Sequence, residues 1–249
     1  SLVSLAKLAL VEDEQKQFEQ YLAQLLDLAP QAPEVLRLQA QAQRADSNYE
    51  EALKFAAQAF RTSPTTQSVL ELASLQMSAG RKQAARKTMK GWLKQHPDDI
   101  AVRLKLANHL TRGKRTREAQ PHYLAVLQLD PGNLTALNNL AWNLRREKPK
   151  KALEYIRKAS KIAPDHPEVI DTLAVIELLN GKKRSARNNI RRALAARPDD
   201  PTIRYHDAMI TAALGEKNRA IAALEELLST GNEFPEQTQA EALLNKLKG

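Results

Sequence analysis

Apolar residues recur at intervals of three and four along nearly the whole chain, in blocks that come in pairs, and a turn-forming segment divides each pair. The dividing segments hold Asp46-Ser47-Asn48, Gly80, Gly113, Gly181 and Gly215. Each pair therefore predicts helix, tight turn, helix. A proline closes the second block: Pro30, Pro64, Pro97, Pro131, Pro164 and Pro198 stand 34, 33, 34, 33 and 34 residues apart. Proline fixes φ and offers no amide hydrogen, so it ends a helix. Twelve residues before the prolines from Pro64 onward stand Ala52, Ala85, Ala119, Ala152 and Ala186, and Ala220 keeps the spacing ahead of Asn232. A further ladder, Ala40, Ala73, Ala107, Ala141, Ala174 and Ala208, runs eleven or twelve residues earlier. A methyl group lets two helices approach to the near end of the roughly 8–10 Å packing range, so these alanines mark helix contacts.

The unit is about 34 residues and repeats seven times, which places repeats at 1–30, 31–64, 65–97, 98–131, 132–164, 165–198 and 199–232 of a single domain, 1–249. Glu236 to Lys248 remains as one more amphipathic helix, a natural end cap. Asp98-Asp99, Asp165 and Asp199-Asp200 follow three of the prolines and read as caps of the next helices, with Pro167 and Pro201 in the tolerant first turn. Two repeats depart from the pattern. The first has Ala6 but carries Phe18 where the second alanine belongs. The fifth is one residue short between Ala141 and Ala152, at Glu147-Lys148-Pro149, which predicts an altered local geometry.

A helix-turn-helix unit of this length, with small residues at these spacings and a terminal proline, resembles the tetratricopeptide repeat. The expected fold is all-α: a right-handed α-solenoid of about seven hairpins plus a C-terminal capping helix. A narrower resemblance covers roughly residues 130–248. The runs Asn138-Asn139-Leu140-Ala141-Trp142, Asp171-Thr172-Leu173 and Arg204-Tyr205-His206 are similar to the C-terminal region of bacterial tetratricopeptide lipoproteins of exopolysaccharide and PEP-CTERM sorting systems. That resemblance implies an envelope protein, periplasmic or associated with the outer membrane, anchored by a lipid on an upstream cysteine. The alternative is a cytoplasmic adaptor.

Composition agrees with a solenoid. Of 249 residues, 43% are hydrophobic and 4% aromatic, which suffices where each repeat buries only its neighbour. No apolar run approaches the roughly 18 residues that cross a bilayer. With no cysteine, disulfides, thiolate metal sites and a cysteine nucleophile are excluded, and the redox compartment stays open. The start at Ser1, inside an apolar helical pattern, reads as that of an excised or processed piece. Nothing in the sequence predicts catalysis, a cofactor or a metal. His96, His109, His122, His166 and His206 fall apart from one another, and no two of them stand at one-turn spacing. The glycines form no phosphate-binding loop, and Glu50-Glu51 and Glu225-Glu226 read as solvated charge.

Function is therefore expected from surfaces. In the family resembled, the first helices line a concave wall along which a protein or peptide partner lies. One helical turn either side of each first-helix alanine, this wall receives Arg37, Gln41 and Arg44, then Leu70, Ser74 and Met77, then Leu104, Asn108 and Thr111. Asn138, Trp142 and Arg145 follow, then Asp171, Val175 and Leu178, then Tyr205, Met209 and Ala212. The amides suit a peptide backbone and Arg145 a carboxylate. Trp142 either offers a flat apolar platform or fills interhelical space. The Lys/Asn clamp by which chaperone-binding relatives hold a C-terminal carboxylate is missing, because Leu104 stands one turn before Asn108.

The second surface is charged. The formal charge is +9, and the turns within repeats three to six are basic. Arg81 and Lys82 open the series, followed by Arg112, Lys114, Arg115 and Arg117, then Arg145, Arg146, Lys148, Lys150 and Lys151, then Lys182, Lys183, Arg184 and Arg187. Arg191, Arg192 and Arg197 extend it, while the first repeat carries Glu12-Asp13-Glu14. Stacked about 10 Å apart, near the Debye length, such turns form a positive rim. An anionic polysaccharide, an acidic protein or lipid headgroups fit that rim. Nucleic acid is disfavoured, since no aromatics interleave the basic turns to stack bases. Solubility alone is the competing role.

Overall fold

The computed structural model describes residues 1–249, and all of its regular structure is α-helix. In chain order the helices are α1 (Leu2–Val11), α2 (Gln15–Leu28), α3 (Pro33–Ala45), α4 (Tyr49–Thr62), α5 (Thr66–Ser78), α6 (Lys82–Gln95), α7 (Ile100–Arg112) and α8 (Thr116–Leu129). They continue as α9 (Leu134–Leu144), α10 (Pro149–Ile162), α11 (Pro167–Leu179), α12 (Lys183–Ala196), α13 (Pro201–Ala213), α14 (Lys217–Ser229) and α15 (Gln237–Lys248). The first fourteen make seven hairpins of an α-solenoid, and α15 follows them. Two compact units divide the chain, Ser1–Leu106 and Ala107–Gly249.

Each ladder proline stands two residues beyond the end of a second helix, from Pro30 after Leu28 to Pro198 after Ala196. Every ladder alanine is buried, and Phe18 is buried at the corresponding place in α2. The methyl groups thus sit where helices touch, so bulk there meets packed atoms rather than water. At the C-terminal end, α15 lays Ala240, Leu243, Leu244 and Leu247 on a cluster that includes Ala208, Leu224, Leu227 and Phe234. Its apolar stripe closes the last hairpin.

The turns inside the hairpins share one device. Asp13, Ser47, Gly80, Lys114, Gly181 and Gly215, each two residues past a first helix, take left-handed φ between 58° and 88°. The next amide then reaches back to the helix, as Arg81 N–H does to the Gln76 carbonyl at 2.7 Å and Lys182 N–H to that of Glu177 at 2.9 Å. The sequence marks the fourth turn with Gly113, yet the left-handed residue is Lys114. Counting from the helix end, not from the glycine, sets the geometry. The fifth hairpin lacks the device. There α9 stops after 11 residues, where α7, α11 and α13 each run 13, and Pro149 opens α10 as its first helical residue.

Helix starts follow the expected chemistry in part. Asp99 accepts the Val102 amide at 3.0 Å, and Asp200 accepts those of Thr202 and Ile203. Asp165 does not cap α11. His166 holds that position without a side-chain cap bond, and Asp165 turns outward to Arg192 at 3.2 Å. In the second unit α11 lies between α9 and α13, with α10 and α12 also against it. All of its residues from Val169 to Glu177 are buried.

Candidate interaction surfaces

In the first unit, α3 and α5 face each other across a cleft of about 480 Å³. Arg37, Gln41 and Arg44 come from α3; Leu70, Glu71 and Ser74 come from α5; Ala56 and Ala59 of α4 form part of the lining. The volume exists because the residues beneath are alanines, whose methyls end where longer side chains would fill the space. Arg37 is clamped by Glu71, with Nε donating to Oε2 at 2.6 Å and a second guanidinium nitrogen to the other oxygen. Of the α3 residues on the wall, Gln41 and Arg44 keep their polar groups free for a ligand.

The second unit presents a different wall. Asn108 Oδ1 accepts from Tyr123 Oη at 2.6 Å and from Asn139 Nδ2 at 2.9 Å, while Asn143 Nδ2 donates to Thr111 Oγ1 at 2.9 Å. Asn108 is therefore part of a network joining α7, α8 and α9 rather than a free amide. Burial pushes the Tyr123 hydroxyl above its ordinary range, hydrogen bonds from Thr111 and Asn139 acting the other way. Asn138 holds Asn139 weakly at 3.3 Å, and its Oδ1 is enclosed without a donor.

Trp142 is half-buried, with the Arg145 guanidinium 3.7 Å from the centre of its ring and His206 tilted against it at 5.5 Å. Its ring thus packs against both, and it is neither fully open nor fully enclosed. Arg145 Nη1 donates to the Trp142 carbonyl at 2.7 Å, so the side chain folds back and caps the end of its own short helix. Burial, reinforced by Arg146, lowers its guanidinium to about 10, with Glu236 and Tyr205 pulling weakly the other way. Burial raises the Tyr205 hydroxyl, and Glu236 adds to the effect.

Asp171 and Tyr205, expected on the open wall, are buried. For Asp171 the reason is α11's place between two flanking helices, and both carboxylate oxygens lie within 2.9 Å of His206 Nδ1. The pair links α11 to α13 across 35 residues. A search for partners one turn away on the same helix misses such a bond. The signal that finds it is the register: Asp171 stands three residues before Ala174 and His206 two before Ala208. Arg37 and Glu71 stand at those same places relative to Ala40 and Ala73.

The basic turns separate into paired and unpaired cations. Arg115 binds Glu118, Arg117 binds Glu147 at 3.1 Å, Arg187 binds Glu216, and Lys183 donates to the Ala213 carbonyl at 2.8 Å. The Glu216 bond holds Arg187 above and Glu216 below their ordinary values. In the second unit, Arg112, Lys114, Lys148, Lys150, Lys151, Lys182 and Arg184 enter no ion pair, and all but Lys182 are exposed. The reading from turns overlooked the outer faces of the second helices. Arg157, Lys158 and Lys161 of α10 and Arg191 of α12 are also exposed and unpaired. In α14 the places equivalent to Arg191 and Arg192 hold Glu225 and Glu226, which ends the basic face.

No helix is long and apolar enough to cross a membrane. Two family models described as tetratricopeptide repeat match the chain, one over residues 43–108 and the other over 104–167 and 172–235. A tetratricopeptide-repeat-containing protein of Pseudomonas aeruginosa is 28% identical over 126 residues, 50% of this chain and 20% of that protein. The match thus spans a fifth of the relative's length. Among solved structures, a tetratricopeptide repeat protein of Parabacteroides merdae aligns with TM-score 0.73 and 18% identity over 87% of this chain and 85% of its own. A chain of the APC/C hetero-tetramer Cut9–Hcn1 aligns with TM-score 0.70 and 14% identity over 99% of this chain and 48% of its own. YrrB, described as having an unusual peptide-binding site, gives TM-score 0.56 and 14% identity over 73% and 95%. At these identities the likeness to solved structures is one of fold.

Proposed function

Because the chain belongs to the tetratricopeptide repeat family, whose fold is generally a non-enzymatic protein-interaction scaffold, we propose that it holds an extended segment of a partner protein along the inner faces of its first helices. The observation that carries this reading is the cleft between α3 and α5, about 480 Å³, floored by alanine methyls and edged by Gln41, Arg44 and Ser74. A peptide backbone meets side-chain donors and acceptors there, and Leu70 and Leu75 offer apolar contact. YrrB lends support as a fold relative with a peptide-binding site. A peptide array tests the reading. Ser74→Trp fills the cleft and should abolish retention of the peptides it holds without lowering the melting temperature. Equal retention by wild type and variant contradicts a role for the cleft.

For the cellular setting, the resemblance of residues 130–248 supports an envelope protein of exopolysaccharide export or surface assembly. Fractionation of the full-length gene product decides between this and the cytoplasmic adaptor. A membrane-anchored product supports the first, a product confined to the cytosol the second.

The unpaired cations of α10 and α12 favour a second reading, contact with an anionic polysaccharide. Such contact rests on released counterions and weakens steeply with salt. The triple change Arg157→Glu, Lys158→Glu and Arg191→Glu should remove retention on a heparin column, whereas unchanged retention assigns the face to solubility.

A further inference from the structure

At the C-terminal end of α9, three hydrogen-bond donors gather without protein acceptors. The Arg145 guanidinium spends one donor on the Trp142 carbonyl and enters no ion pair. Its remaining N–H groups have no partner in the protein, nor do the Trp142 indole N–H and the Tyr205 hydroxyl, and none of these atoms is sealed from solvent. Arg146 adds a second positive charge. The one nearby acid, Glu236, acts only at longer range and takes the Thr202 hydroxyl at 2.9 Å.

The cause lies in the missing residue of the fifth turn. In the sixth and seventh hairpins the place four beyond the first-helix alanine, Leu178 or Ala212, is still helical. In the fifth that place is Arg145, which falls just past the end of α9. From there its side chain folds back over Trp142. The shortened helix therefore creates the arrangement, and the regular hairpins do not repeat it.

A site with free donors and positive charge, whose unpaired acceptor Asn138 Oδ1 is enclosed and two turns away from Arg145, suits a ligand that only accepts. A carboxylate is planar, accepts at both oxygens, and matches the fork of a guanidinium. Its charge would also supply the counter-ion that this desolvated arginine lacks. Around the site, half-buried Leu178, Met209 and Ala212 occupy the neighbouring inner positions and Asn138 lies two turns back along α9. The surface thus continues past Arg145, as a chain passing through would need and a chain terminus would not.

We propose that Arg145, Trp142 and Tyr205 form a recognition site for the carboxylate of an Asp or Glu side chain within an extended segment of a partner protein. The site rests on the reading of the chain as a protein-binding scaffold but is separate from the α3/α5 cleft. Arg145 supplies the charged fork, the indole holds that fork in plane, and the phenol donates from the side. Desolvation makes the site selective, because an amide in place of the acid leaves the arginine unpaired.

The test uses the whole chain and an array of octapeptides that differ only in having Asp or Glu, or Asn or Gln, at a central position, each with a free or amidated C-terminus. The acidic members should be retained at least about ten-fold more strongly than the amides, as befits a charge-assisted bond. Amidation of the C-terminus should change nothing. Arg145→Met should erase the preference while leaving the melting temperature equal to or above wild type, since the free chain loses an uncompensated guanidinium. Arg145→Lys should restore only part of it, the fork being absent. Absence of an acid preference overturns the proposal, as does a preference that survives Arg145→Met. So does a preference that amidation removes, or a fall in melting temperature for Arg145→Met that marks the residue as structural. Equal dependence of a heparin fragment on Arg145 would assign the site to polyanions instead. Ser74→Trp, run alongside, reports on the cleft separately, so failure here leaves that reading standing.

Discussion

The inner walls of the two units use one register for opposite ends. In the first unit Arg37 and Glu71 pair at the edge of an open cleft, their side chains 15% and 32% exposed. In the second, Asp171 and His206 pair at the same places relative to the alanines, but at 9% and 3% exposure, inside the packing of α11. The position in the repeat decides which side chains meet, and the flanking helices decide whether the pair borders a ligand site or locks one helix to the next. A partner can compete with the first pair. It cannot reach the second without opening the unit.

The largest effect expected from this contrast is on stability. Removing one member of the buried pair leaves a buried polar group without its partner, so Asp171→Ala should cost about 3 kcal/mol or more. Arg37→Ala, at a partly exposed pair, should cost about 1 kcal/mol or less. Urea unfolding of the two variants measures both. Similar losses would mean that the two pairs do the same work and that the contrast is false.

The alanine ladder comes next. Ala152 and Ala186 have no exposed surface, so Ala152→Leu or Ala186→Leu should destabilise by about 1–3 kcal/mol through overpacking. The same ladder shows how much of the fold can be read in advance. Prolines and alanines carry the hairpin count because each has one physical job at one place, ending a helix or letting two approach. The fourth turn is less legible. Gly113 is the obvious marker, yet the chain takes its left-handed residue at Lys114, because the cap is reckoned from the end of α7.

The wall itself was legible at Gln41, Arg44 and Trp142, where one helix's stripe is enough to place the residue; Arg145 stands just past the end of α9, and the stripe does not contain its fold-back over Trp142. It was not legible at Asp171, which is enclosed, or at Tyr205, whose ring is buried while its hydroxyl still reaches solvent. Their burial depends on helices a full repeat away, which the pattern of a single helix does not contain. The same holds for the Arg117 and Arg187 pairs, whose partners lie 30 and 29 residues on and fix which basic residues remain free, whereas the Arg115–Glu118 pair is local.

A smaller effect sharpens the comparison of the turns. Lys114→Gly should stabilise by up to about 1 kcal/mol, since glycine takes left-handed φ without the penalty of a side chain. Gly181→Ala, at φ 75°, should lose a similar amount. Thermal melts of both variants check the pair, and a shift of the same sign in each would contradict the assignment.

Acid should cost stability at Asp99 of the first unit. Burial alone would raise the Asp99 carboxyl, but hydrogen bonds from Thr66, the Val102 amide and Trp92 outweigh it and hold the group below its ordinary value. A carboxylate held low in the folded state contributes stability above its unfolded pKa, and that contribution is lost as pH falls through the folded value. Stability should therefore decline below about pH 4. Asp99→Asn should remove this part of the decline and lower stability at neutral pH. An unchanged acid profile in Asp99→Asn would contradict the assignment.

In the fifth hairpin one missing residue converts a repeated position into a distinctive site. Inserting a glycine between Glu147 and Lys148 restores the twelve-residue spacing of the other hairpins and puts the glycine seven residues past Ala141, where Gly80, Lys114, Gly181 and Gly215 stand relative to their own alanines. It should supply the missing left-handed turn, keep or raise the melting temperature, draw Arg145 off Trp142, and abolish the preference for acidic peptides. A well-folded insertion variant that still prefers acidic peptides as strongly as wild type would contradict this origin of the site.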